Sequence, residues 1–247
     1  DPKLEILRQV QELSHRYKEH LVYIYEVEYD EEMRRWYELM EYAKYGNLRE
    51  YSNSKNHKID IKAVIHELNE AIYTLHKGNV IHRDIKPTNI LVREENPLDL
   101  IFTDFGVSSV IDAELSKKMT TVKGTPMYSA PESFSGIMGR EVDYWSLGMI
   151  FYELVLDNHP FTGLNEGLIL YRLTTEEIEI PEEAGEYRKL LMGLFTRNPK
   201  DRWGYDEVRR WLLGDRDIPV KRSAVVDKKG YAKPYKFLDK QYRDLES

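Results

Sequence analysis

Two short apolar runs, Ile90 to Val92 and Leu100 to Thr103, each carry a polar cluster at one end, and this pairing constrains the chain more than any other feature. Before the first run stands His82-Arg83-Asp84-Ile85-Lys86-Pro87-Thr88-Asn89, and after the second stands Asp104-Phe105-Gly106. A polar connection, Arg93 to Asp99, joins the runs and contains Asn96-Pro97. If the runs pair as an antiparallel hairpin, the start of the first lies beside the end of the second. Asn89 and Asp104 then meet at one rim, each offering an oxygen to a hard cation. Mg2+ suits such a place, because it takes few protein oxygens and completes its octahedron with phosphate and water. Asp84, on the same loop, is placed to receive a proton from an attacking hydroxyl, and Lys86 to neutralise charge on a transferring phosphoryl group.

The flanking patterns are mixed helix and strand. Leu4, Leu7, Val10 and Leu13 have helical spacing. Leu21 to Val27 and Arg35 to Met40 are rich in β-branched and aromatic residues around the turn Asp30-Glu31-Glu32, which predicts a hairpin. Ile61, Val64, Ile65, Leu68, Ile72 and Leu75 mark a long amphipathic helix, with Asp60 as N-cap and Gly78 as its stop. Val80-Ile81 reads as a further short strand. Val142 to Leu156 is apolar nearly all round, so a buried central helix is expected. Further helices fit Leu168 to Leu173, Tyr187 to Phe195 and Tyr205 to Leu213. From Ile218 the character shifts to a Lys/Arg-rich stretch between Pro219 and Pro234, read as a linker or the start of another element.

With 247 residues the chain can form one large domain or two lobes around a cleft. The net charge of -7 supplies no basic field for nucleic acid or anionic membrane. No Cys is present, which removes disulfides, zinc-thiolate sites and a thiol nucleophile, and fits a cytoplasmic protein. The apolar stretch Leu147 to Leu156 is too short to span a bilayer. The histidines other than His82 show no ligand spacing.

The His82 to Asn89 and Asp104 to Gly106 clusters, in this order, resemble those of the eukaryotic-like protein kinase family, Ser/Thr type. The resemblance implies an α+β, bilobal fold with a small β-rich lobe and a large mainly helical lobe. It implies transfer of the ATP γ-phosphoryl group to Ser/Thr hydroxyls of proteins, with ATP and Mg2+ as cofactors. By it Asp84 is the catalytic base, Lys86 contacts the γ-phosphate, and Asn89 and Asp104 hold the metal. Leu39-Met40-Glu41-Tyr42-Ala43 is similar to the hinge between lobes: Met40 as gatekeeper, and backbone groups of Glu41 and Ala43 meeting adenine. Leu91 would close the purine pocket and Asn47 would reach the ribose.

Gly124 to Glu132 resembles the end of an activation segment, in which Thr125 would bond Asp84 and Lys86. Glu132 would pair with Arg202, and Asp143 would brace the catalytic loop. Arg83 before Asp84 implies control by phosphorylation at Thr120 or Thr121, with Ser116 behind them. His82 is expected to pack under Phe105 rather than act as a base. The implied division is residues 1–43 as small-lobe remnant, 44–217 as large lobe and 218–247 as linker. The family's Gly-rich loop and strand Lys have no counterpart before Gly46, which is read as a fragment's edge, with Glu5 as the helix partner of such a Lys. Two other readings compete: a pseudokinase that binds nucleotide or protein, and a small-molecule kinase of related fold.

Overall fold

The computed structural model of the chain describes residues 2–54, 59–104, 126–135 and 139–221; for residues 2–6 and 135 it describes the backbone alone. The chain is α+β and forms two compact units, Asp1–Met119 and Thr120–Ser247. Among the described residues, no helix is long and apolar enough to cross a membrane.

In the first unit, helix α1 (Pro2–Arg16) buries Leu7, Val10 and Ser14, spaced three and four apart on one face. That face meets strand β1 (Ile24–Asp30), where the Ser14 hydroxyl accepts from the Ile24 amide at 3.1 Å. β1 pairs antiparallel with β2 (Arg35–Met40), from Ile24 opposite Met40 to Asp30 opposite Arg35, with a register shift between Ile24 and Glu26. β1 begins three residues later than its composition predicts, because the residues ahead of it pair elsewhere. Leu21 bridges to Phe102, and the Val22 amide donates to the Phe102 carbonyl at 2.8 Å.

The short helix α2 (Leu48–Asn53) precedes the long helix α3 (Ile61–Lys77). α3 follows its pattern closely. Asp60 caps it by accepting from the amides of Lys62 and Ala63, and Val64, Ile65, Leu68, Ala71, Ile72 and Leu75 form its buried stripe. His76 and Lys77 place basic groups in the last turn, where the helix dipole favours them. Gly78 ends the helix at φ −81, a conformation open to any residue, and a Cβ there would meet the Tyr17 hydroxyl, which would have to move aside. Val80-Ile81 forms no strand. Both side chains are buried in an irregular segment, so their apolar character reflects burial rather than pairing.

Strands β3 (Ile90–Glu95) and β4 (Leu98–Phe102) make the predicted antiparallel hairpin, with Ile90 opposite Phe102. The strands run further than the apolar runs suggested, so only Asn96 and Pro97 remain as the turn. The register shifts between Val92 and Glu94, a bulge at Arg93. Packing of α3 against β4 fixes the hairpin in the core, where Ile90, Val92, Ile101 and Phe102 are fully buried.

The second unit is helical. Helix α4 (Glu141–Leu156) is buried continuously from Val142 to Tyr152, as its all-round apolar pattern requires. Gly148 permits a close approach there, since a Cβ would lie 2.9 Å from the Phe195 ring. Helices α5 (Glu166–Thr175), α6 (Arg188–Leu194) and α7 (Tyr205–Leu212) follow, and α6 packs on α4. The buried Arg197 guanidinium donates to the carbonyls of Leu173 and Thr174, closing the C-terminal end of α5. The segment after α7 docks on this unit at its start. Ile218 is buried, the Pro219 carbonyl accepts from the Trp203 indole at 3.0 Å, and Lys221 pairs with Asp201 at 2.8 Å.

Candidate active site

The loop from His82 to Asn89 is held by alternate buried residues. His82, Ile85 and Pro87 point into the core, and the His82 ring meets Phe102 edge-on at 5.1 Å between centroids. The expected neighbour of His82, Phe105, lies outside the described residues. The ring instead braces the loop directly, its Nδ1 accepting from the Asp84 amide at 3.4 Å. Between these anchors Arg83 adopts φ 67, and beyond β4 Asp104 adopts φ 55. A left-handed backbone at Arg83 costs about 1–3 kcal/mol and persists only where its surroundings over-determine it, a feature that concentrates at functional loops.

Asp84, Lys86 and Asn89 converge. Lys86 Nζ donates to Asp84 Oδ2 at 2.8 Å, and Asn89 Nδ2 donates to the same oxygen at 3.0 Å and to the Asp84 carbonyl at 3.0 Å. Both side-chain donors use Oδ2, so Oδ1 is the oxygen left for a further donor. With Nδ2 committed, Oδ1 of Asn89 is the amide atom left to meet a cation. A short turn, Pro87–Asn89, delivers Asn89 to the start of β3, and the Thr103 amide donates to the Asn89 carbonyl at 2.9 Å. Asp104, the next residue, is exposed at that rim. The β3–β4 register thus brings the Asn89 carbonyl against Thr103, the residue before Asp104.

The second cluster lies along residues 41–47. The Glu41 amide donates to the Tyr23 carbonyl at 2.9 Å, and the Gly46 amide donates to the Ala43 carbonyl at 3.1 Å. These bonds do not use the Glu41 carbonyl or the Ala43 amide, the acceptor and donor that a planar base would need. Ala43 is buried, Met40 ends β2 and is partly exposed, and Leu91 is half-buried on β3. Asn47 and Leu91 form a backbone bridge, and the Val92 amide donates to the Gly46 carbonyl at 2.9 Å, so this segment runs along β3.

Asn47 has a different demonstrated task from the one its position suggested. Its Oδ1 accepts from the Glu50 amide at 3.0 Å and Glu50 returns a bond to the Asn47 amide, a capping box for α2. The signal, Asn47 followed three residues on by Glu50, was legible. A ribose hydroxyl would have to use the Nδ2 side of this amide.

Sequence reasoning also missed a cluster centred on Arg93. Its Nε and Nη2 donate to the two oxygens of Asp99 at 2.7 and 3.2 Å, and Nη1 donates to the Lys18 carbonyl at 2.9 Å. Nη1 also lies 3.5 Å from Glu41 Oε1, which accepts from the Tyr23 amide at 2.7 Å. Burial alone would lower the Arg93 pKa, but the bond and charge of Asp99, helped by Glu41, raise it above its ordinary value.

In the second unit Glu132 and Arg202 pair as predicted, in a bidentate fork at 2.6 and 3.0 Å with both side chains almost wholly buried. The guanidinium also lies over the Trp145 ring at 5.0 Å and donates to the carbonyls of Thr196 and Glu141. Asp143 is fully buried within α4. Thr125, Ser116, Thr120 and Thr121 lie outside the described residues, as do Gly106 and the side chain of Glu5.

Comparison with known proteins gives one family. The model of the protein kinase domain matches residues 3–211. The human protein named NUAK family SNF1-like kinase 1 is 28% identical over 209 residues, covering 83% of this chain and 31% of that protein. An Aurora kinase of Eremothecium gossypii is 34% identical over 190 residues, covering 74% of this chain and 51% of its own length. The serine/threonine-protein kinase shk1/pak1 of Schizosaccharomyces pombe is 34% identical over 188 residues, covering 74% and 28%. The chain thus spans between about a quarter and a half of these relatives.

Proposed function

This chain belongs to the protein kinase domain family, and from that premise we propose that it transfers the γ-phosphoryl group of ATP to serine and threonine hydroxyls of proteins. The observation that carries this reading is the convergence of Lys86 and Asn89 on Oδ2 of Asp84. Two donors on one oxygen fix the carboxylate's orientation and present Oδ1 to a substrate hydroxyl. Asp84 then orients the hydroxyl and takes its proton as the oxygen bonds to phosphorus and ADP departs. Catalysis of this kind rests on positioning and on charge stabilisation rather than on covalent chemistry by the protein.

Asn89 and Asp104 fit a hard divalent cation, since one offers an amide oxygen and the other an exposed carboxylate at the same rim. Mg2+ is the ion this donor set favours, and when bound it neutralises charge on the phosphate oxygens. Lys86, partly exposed beside Asp84, would exchange its carboxylate partner for the γ-phosphate. Thr125 would bond Asp84 and Lys86 when substrate is bound. The Glu41 carbonyl and Ala43 amide supply the polar edge for adenine, and Met40 and Leu91 its apolar walls. The ribose contact proposed for Asn47 would use Nδ2.

On this reading residues 1–43 belong to the small lobe, 44–217 to the large lobe, and 218–247 to a linker or further element. The partners are a protein and a nucleotide; the net charge of -7 supports protein over nucleic acid, and the absence of Cys supports a cytoplasmic setting. Control by phosphorylation at Thr120, Thr121 or Ser116 belongs to this reading, on the ground that an Arg, Arg83, directly precedes Asp84. Mass spectrometry of active enzyme tests that: all three unmodified would remove the regulatory part of the reading. A pseudokinase role is not favoured, because a scaffold needs none of Asp84, Asn89 and Asp104.

The central test is Asp84→Asn in the full-length protein with Mg-ATP. Transfer of labelled phosphate to a general protein substrate should fall by about 10²–10⁴-fold, the usual contribution of a general base. Undiminished transfer would refute the assignment.

A further inference from the structure

We propose that Arg93 is a positioning residue for the nucleotide-binding hinge, setting where the 41–44 backbone stands relative to the hairpin that carries Asn89. The inference rests on the reading above, in which the Glu41 carbonyl and Ala43 amide meet adenine.

The bulge at Arg93 is where the geometry begins. In a regular strand, consecutive side chains face opposite sides. The shift between Val92 and Glu94 breaks that alternation, and two consecutive residues reach the same segment. Arg93 Nη1 lies 3.5 Å from Glu41 Oε1, and Glu94 Oε2 lies 3.2 Å from Lys44 Nζ. The hinge is therefore tied to β3 at both ends by ion pairs of opposite polarity.

The two ties are unequal. Lys44 and Glu94 are each more than half exposed, at 54% and 55%, and a surface pair of that kind contributes little. The Arg93, Glu41 and Asp99 side chains are only 27%, 18% and 30% exposed, so their interactions are less screened. Arg93 also spends its donors on three separate elements: the Asp99 carboxylate on β4, the Lys18 carbonyl before β1, and Glu41. A planar fork with five donors can do this; a lysine ammonium cannot reproduce it.

Glu41 completes the lock. Its carboxylate accepts the Tyr23 amide while its own amide donates to the Tyr23 carbonyl, at 2.7 and 2.9 Å. The side chain and backbone of one hinge residue thus close a ring with Tyr23. The Arg93 guanidinium holds that ring against the hairpin. Without it the backbone bonds of Glu41 to Tyr23 and of Val92 to Gly46 remain, but the separation between the Glu41 carbonyl and the metal-ligand rim is held less tightly, and a nucleotide must satisfy both.

Arg93→Met keeps the apolar stem and removes the fork. In the full-length protein it should raise KM for ATP, and Kd for ADP with Mg2+ by calorimetry, about five- to twentyfold, the range expected for a positioning residue that does not touch ligand. kcat at saturating ATP should stay within about twofold, and amide exchange at Tyr23 and Glu41 should accelerate. Arg93→Lys should recover only a small part of the affinity. Unchanged nucleotide affinity in Arg93→Met would overturn the proposal, as would a fall in kcat with KM unmoved. A wild-type protein that binds no nucleotide would instead sink the underlying reading, and this inference with it.

Discussion

Two carboxylate–cation contacts, one in each unit, have nearly the same length and opposite surroundings. Asp84 meets Lys86 at 2.8 Å with side chains 42% and 32% exposed, while Glu132 meets Arg202 at 2.6 Å with side chains 4% and 0% exposed. The first is a monodentate contact with a flexible ammonium, half-buried but open to solvent, where exchange of partners costs less than in a closed interior. The second is a buried bidentate fork whose guanidinium also donates to the carbonyls of Thr196 and Glu141, where exchange is prohibitive. Distance does not separate a working pair from a holding pair; burial and valency do.

The largest effect should come from breaking the buried pair. Arg202→Ala leaves Glu132 as an uncompensated buried charge and removes the packing over Trp145, so unfolding free energy should drop by about 3–5 kcal/mol. A denaturant titration followed by tryptophan fluorescence measures it. Arg202→Lys keeps the charge without the fork and should fall between wild type and Ala. If Arg202→Ala costs no more than a surface substitution, the contrast between the two pairs is wrong.

The half-buried pair sharpens the same contrast from the other side. A double-mutant cycle over Asp84→Ala and Lys86→Met should give a coupling energy of only about 0.2–1 kcal/mol in stability. The same substitutions should remove phosphoryl transfer. Stability coupling near that of the buried pair would mean that the loop is held by this contact rather than by His82, Ile85 and Pro87 beneath it.

What the sequence made legible divides along the same line. Local periodicity and caps gave α3 from Asp60 to Gly78, and the apolar runs gave the β3–β4 hairpin with Asn89 and Asp104 at its rim. The family resemblance also implied Glu132 with Arg202, across 70 positions. What escaped were contacts that carry no local pattern. Arg93 reaches Lys18 across 75 positions, and nothing in Arg93-Glu94-Glu95 announces a bulge. The late start of β1 escaped for the same reason, because Leu21 and Val22 look like strand residues and are, but their partner is Phe102. Val80-Ile81 failed oppositely: composition reports burial, and burial was mistaken for pairing.

The smallest effect concerns the junction where Leu21 and Val22 meet Phe102. His20 precedes it, its carbonyl accepting from the Phe102 amide at 2.8 Å, and burial lowers its pKa below the ordinary value of 6.5. The nearby carboxylates Glu19, Glu67, Asp99 and Glu70 oppose that shift without reversing it. A histidine with a lowered folded pKa binds fewer protons folded than unfolded in the interval between the two values. Its neutral form is therefore matched to the fold above pH 6.5, and stability drains away as pH falls below that value until the folded pKa is passed. His20→Gln keeps a polar side chain and the backbone bond but cannot titrate. The difference in melting temperature between wild type and His20→Gln should change between about pH 7.5 and pH 5, in the direction of a relatively less stable wild type at the acid end. A difference that stays constant over that range would mean that the junction is indifferent to this proton, and that its stability resides in the Leu21, Val22 and Phe102 packing alone.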